Sequence, residues 1–126
     1  MTRDYDTRLV DRFLSHHWAL RPVDATFMGE RAYDRIRPPV GADVLAEEIG
    51  DIDTMLAELE AMAEPTELGA RLDWRMMQSE LRIARLAATK RPRFDNPAWY
   101  SGEAAFGIIS LLLPQSAPVD GGTVVA

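Results

Sequence analysis

Asn96-Pro97-Ala98-Trp99-Tyr100-Ser101-Gly102-Glu103-Ala104-Ala105-Phe106-Gly107-Ile108-Ile109-Ser110-Leu111-Leu112-Leu113-Pro114 is the stretch on which the fold turns. At about 100° per residue, Trp99, Phe106 and Leu113 fall on one side of a helix and Ile108, Leu111 and Leu112 on another, with Ile109 between. Glu103, Gly107 and Ser110 form the only polar or small strip. An apolar run from Ala104 to Leu113 is far shorter than the roughly 18 to 20 residues that span a bilayer, so the segment reads as a core helix. Asn96 suits the cap, Pro97 the first helical position, and Pro114 cannot continue the helix.

Outward from this helix the chain stays helical. Leu9 and Phe13, with Tyr5 before them, and the adjacent row Val10, Leu14 and Trp18 predict an amphipathic helix from about Asp4 to Ala19. Arg21-Pro22 ends it, and a short turn from Val23 to Met28 follows, closed by Gly29 in a left-handed conformation. Residues 30 to 41, with Pro38-Pro39, carry no period and read as an ordered loop. Val44, Leu45, Ile49, Ile52, Met55, Leu56, Leu59 and Met62 keep a helical period over about five turns. Pro65 stops that helix, and Thr66 to Gly69 is the expected connection. From about Ala70 to Lys90 the rows Trp74, Met77, Leu81, Ala84 and Leu72, Met76, Ile83, Leu86 form one broad apolar face. No segment alternates as a strand does, and no solenoid repeat is present. The predicted fold is all-α: an antiparallel bundle of about four long helices plus a short one, expected to be the N-terminal segment of a larger helical protein.

Composition narrows the function classes. The 126 residues, 47% hydrophobic and 27% charged, are ordinary for one folded domain, here residues 1–114. Residues 115–126 read either as a frayed tail or as the start of a further helix at Thr123. Absence of cysteine excludes disulfides and thiolate chemistry, and no secretory signal precedes the first helix, so the expected setting is cytoplasmic. The net charge of −6 is uneven: residues 41 to 70 hold nine acids and no base, and the next segment is basic. Two neighbouring helices with complementary faces explain this, and an acidic patch for a basic partner is the alternative. With a pI near 4.8, neither nucleic acid nor membrane is an expected partner.

Catalytic constellations are incomplete throughout. His16 and His17 point about 100° apart on a helix and cannot chelate one metal together, so one is expected half-buried beside Trp18 and the other exposed. Neither His-Glu-x-x-His nor Glu-x-x-His occurs, and phosphate loops and nucleophile elbows are missing as well. Glu47 and Asp51 share a face without a third ligand, which is the pattern of a solvated surface. Lys90-Arg91-Pro92-Arg93 suits a solvated helix end. No catalytic, cofactor-binding or metal residue is therefore assigned. Glu103 stands out because it sits in the apolar helix: burial requires a partner such as Arg82 or Arg85, a route to solvent along Gly107 and Ser110, or a place in the lining of a larger cleft.

Three segments carry a family resemblance. The first runs from Phe13 to Asp34, with His17, Pro22, Asp24, Ala25, Thr26, Gly29 and Tyr33-Asp34. The second is the acidic helix followed by Leu72-Asp73-Trp74. The third is Asn96-Pro97, Tyr100, Gly102-Glu103-Ala104, Phe106-Gly107 and the leucine run. Together they resemble the N-terminal part of the bacterial family catalogued as domain of unknown function eight hundred eighty-five. Its members are longer, largely helical and similar to zinc metallopeptidases, with a His-Glu motif and a distant second histidine. The resemblance implies a hydrolase parent in which a metal-bound water attacks a peptide-like carbonyl, while none of the metal motif lies in this chain. It implies zinc only in a full-length parent, a tail that continues into a helix, and Glu103 and Tyr100 as candidates for a structural ion pair or cleft lining. The expected partner is the remainder of a parent chain or a helical partner, with self-association through the apolar helix as a further expectation. A free-standing helical interaction module with an acidic face is the rival reading.

Overall fold

The computed structural model describes residues 7–90 and 95–113. The chain is all-α: α1 (Thr7–Leu20), α2 (Pro22–Phe27), α3 (Ala42–Ala61), α4 (Leu68–Lys90) and α5 (Pro97–Leu111), with a 3-10 turn at Arg31–Tyr33. No strand occurs among the described residues. Tyr5, Arg91 to Arg93, Pro114 and the tail at 115–126 lie outside them. Two compact units form, one from the chain up to Ser15 with Val40–Asp95, the other from His16–Pro39 with the chain from Asn96.

In the first unit the apolar period of α3 becomes its core. Ile52, Met55, Leu56 and Leu59 are buried with Leu9 of α1 and with Ala70, Met77 and Leu81 of α4, and Phe13, Met62, Trp74 and Ala84 pack against them. Opposite charges then fix how α3 meets α4. Asp53 pairs with Arg85, Glu60 with Arg82 and Glu64 with Arg75, so the register descends on one helix as it climbs on the other, which is antiparallel. Arg12 of α1 adds a pair with Glu58 at 2.6 Å. These pairs are all substantially exposed, and solvent screening leaves each of them little stabilising energy. Their value is orientation; stability comes from the buried aliphatics. Asp53, by hydrogen bond and by charge, holds the Arg85 guanidinium above its ordinary pKa.

The α3–α4 connection differs from expectation. Leu68 and Gly69 already belong to α4, because Glu67 caps it: the carboxylate accepts the amides of Gly69 at 2.9 Å and Ala70 at 2.7 Å. A Cβ on Gly69 would stand 3.2 Å from a Glu67 oxygen, so the glycine leaves room for the cap. Glutamate is a rare cap, but here one anion satisfies two of the orphan donors at a helix start. Glu67→Ala is expected to lower stability by about 1 kcal/mol in urea denaturation; an unchanged midpoint would mean that water replaces the cap without loss.

The second unit joins α2, the 3-10 turn and α5. Pro22 opens α2, and Gly29, at φ +83°, reverses the chain after it. The loop between residues 30 and 41 is not wholly irregular, since Glu30 accepts the Ala32 amide and starts the 3-10 turn. Asn96 caps α5 by accepting the Ala98 amide at 3.1 Å, with Pro97 at the first position. Both histidines are half-buried, a correction to the expectation of one exposed ring. His17 lies edge-on to Trp18, its Nδ1 3.1 Å from the Arg21 guanidinium, which must donate because it has no acceptor.

Candidate functional site

The all-round burial expected of α5 is not what the structure holds. Among the described residues its buried side chain is Ser110, 1% exposed, whereas Phe106 (55%), Ile108, Ile109 and Leu112 are exposed. The narrow strip Glu103, Gly107 and Ser110 is the side turned to the rest of the unit, lining a cavity with α2 and the 31–38 loop. Small residues cause the inversion. Val23 Cγ2 lies 3.7 Å from where a Cβ on Gly107 would be, an approach that a large side chain at that position would prevent. Ser110 returns its hydroxyl to the Gly107 carbonyl at 2.8 Å, so its burial leaves no donor exposed to apolar surroundings. Phe106 meets Phe27 of α2 edge-on, ring centroids 6.3 Å apart.

The cavity has a volume of about 430 Å³. Pro22, Val23, Ile36, Pro38 and Leu111 give it apolar walls, and Thr26, Tyr33, Asp34, Arg37 and Glu103 supply its polar groups. One wall is fastened by a latch. Thr26, buried on α2, lies with its hydroxyl 2.9 Å from Asp34 Oδ1 and 3.1 Å from the Pro22 carbonyl, while Arg31 Nε donates to Asp34 Oδ2 at 2.7 Å. The Asp34 side chain is only 11% exposed. Both of its oxygens are therefore engaged within the unit, and its role is to hold the 31–38 loop against α2. Glu103 is half-buried on the cavity side of α5, while Arg82 and Arg85, named above as partners for it, are engaged by Glu60 and Asp53. Tyr100 does not line the cavity. Exposed, it lies one turn before Glu103 on α5, its ring edge-on to Trp99 with centroids 5.0 Å apart.

Chemically the cavity can enclose a small, mostly apolar group with polar contacts at its margin. Histidine is absent from its described lining, the Ser110 hydroxyl donates to the Gly107 carbonyl, and the Thr26 hydroxyl lies between the Pro22 carbonyl and Asp34. Glu47 and Asp51 are both exposed. Among the described residues no group of three or more metal-ligating side chains comes together, and no helix is long and apolar enough to cross a membrane. Sequence reading missed Arg37 altogether and named Thr26 and Asp34 only through the resemblance. Segments one and three of that resemblance meet here: Pro22, Thr26, Tyr33 and Asp34 face Glu103, Ala104 and Gly107 across one cavity. No protein-family model, curated protein or solved structure matches this chain.

Proposed function

We propose that this chain is a helical scaffold segment of a metallopeptidase-like hydrolase, not catalytic by itself, whose α5 offers an apolar face to a catalytic region located elsewhere. The observation that carries this reading is the inverted burial of α5. A helix fastened by Gly107 and Ser110, with Phe106, Ile108, Ile109 and Leu112 exposed, presents the kind of contiguous apolar surface that marks a contact site. The zinc that the resemblance implies finds no fitting ligand set among the described residues, so no catalytic step is assigned to this chain. The rival reading, a module that binds through an acidic face, is weakened because Asp53, Glu58, Glu60 and Glu64 already answer arginines of the same unit.

Sequencing the coding region beyond the Ala126 codon tests the proposal. A frame that stays open and encodes a His-Glu motif with a second histidine far downstream is the expected result. A stop codon directly after Ala126 would overturn it.

A further inference from the structure

α4 carries two apolar seams, and one of them is open. Ala70, Trp74, Met77, Leu81 and Ala84, spaced alternately four and three apart, belong to the core of the first unit. Leu72, Met76, Ser79, Ile83 and Leu86 repeat the same spacing two residues out of step, which at about 100° per residue places them on roughly the opposite side of the helix. All five are exposed. A four-three spacing is the seam of a coiled coil, here with Met76 and Ile83 at the first core position of each heptad and Leu72, Ser79 and Leu86 at the second. Isoleucine at the first and leucine at the second is the combination that favours two parallel strands.

The charges beside this seam choose the occupant. Arg75 and Arg82 flank one side and Asp73 and Glu80 the other. In a parallel pair of identical helices the basic flank of each copy lies along the acidic flank of the other, and Arg75 falls beside the position five residues on, Glu80. Antiparallel pairing sets Asp73 and Glu80 against their own copies and Arg75 and Arg82 against theirs, which is repulsive on both sides. Arg75 contacts Glu64, just beyond the end of α3, but its side chain remains 63% exposed, and a guanidinium has donors for a second carboxylate. We propose that the open seam of α4 docks a second copy of this chain, parallel and in register, with Arg75 paired to Glu80 of the partner subunit. Ser79 interrupts the apolar seam at its middle and keeps the association weak and reversible.

Sedimentation equilibrium of the 126-residue chain at low ionic strength is the test. Concentration-dependent dimers are expected; Arg75→Glu and Glu80→Arg each weaken them by about tenfold or more, and the double exchange returns the affinity to within about threefold of the parent. Circular dichroism checks that each variant folds. Should a charge variant not fold, two others decide. Ser79→Leu, at an exposed position, tightens the dimer by about tenfold or more. Leu86→Cys, in a chain with no other cysteine, gives a disulfide-linked dimer on mild oxidation, since only parallel register sets residue 86 against itself. A folded chain that stays monomeric at millimolar concentration, dimers indifferent to the charge exchange or to Ser79→Leu, or a Leu86→Cys chain that does not cross-link, would overturn the proposal.

Discussion

Leu59→Ala is expected to cost about 2–5 kcal/mol, whereas the chemically identical change Leu86→Ala should stay within about 0.5 kcal/mol in dilute solution. Leu59 is 0% exposed in the α1–α3–α4 core, and its backbone carbonyl also accepts the Trp74 indole N–H at 3.3 Å. Truncation there removes three buried carbons and leaves a cavity that Ile52, Met55 and Leu81 cannot close without leaving their own contacts. Leu86, 60% exposed, loses nothing that water does not replace. Against a total of about 5–15 kcal/mol for an ordinary domain, the first change removes a large fraction of the stability and the second almost none. Urea denaturation followed by circular dichroism checks both. Equal losses at the two positions would mean that the open seam of α4 is covered in the folded chain.

The second large effect lies in the other unit. Asp34→Ala should destabilise it by about 1–3 kcal/mol, because the change removes one of the two acceptors facing the Thr26 hydroxyl and the ion-pair partner of Arg31 at a side chain almost enclosed by protein. The consequence is local as well as energetic: the loop that forms one wall of the cavity loses its fastening to α2. Hydrogen exchange should therefore accelerate at the amides of Tyr33, Asp34 and Ile36, while the α3–α4 pair keeps its protection. Asp34→Asn keeps an acceptor for Thr26 and should fall between the two. Uniform acceleration across both units would contradict a latch confined to α2 and the loop.

What the sequence disclosed followed from period and charge. The helices α3 and α4 were legible because their apolar residues repeat at 3.6 and because an acidic segment is followed by a basic one, and the three cross-pairs of the hairpin realise that complementarity. Two rows on α4 were legible too, yet as one broad face, since periodicity fixes angles around a helix and says nothing of which angle meets a neighbour. The same limit explains α5. Its strip of Glu103, Gly107 and Ser110 was visible on the wheel, but hydrophobicity argued for burying the large residues, while close approach to Val23 favours burying the small ones. The Thr26–Asp34–Arg31 latch joins a helix to an aperiodic loop through three polar side chains, a contact for which no pattern of spacing exists. Of the two candidate residues, Glu103 occupies the cavity lining through its place on that strip. Tyr100 lies one turn earlier on the same row, beyond the end of the cavity, where its ring meets Trp99.

Cysteine accessibility along α5 tests the central claim, that this helix is fastened by its polar strip and leaves its apolar side open. The chain contains no cysteine of its own, so Ser110→Cys and Ile109→Cys each introduce a single thiol on neighbouring positions of one helix. Under native conditions, at concentrations where the chain is monomeric, Ile109→Cys should react with a thiol reagent at close to the rate of the unfolded chain, while Ser110→Cys is protected by about a hundredfold or more. Equal rates, or a protected residue 109 beside a reactive residue 110, would contradict the account.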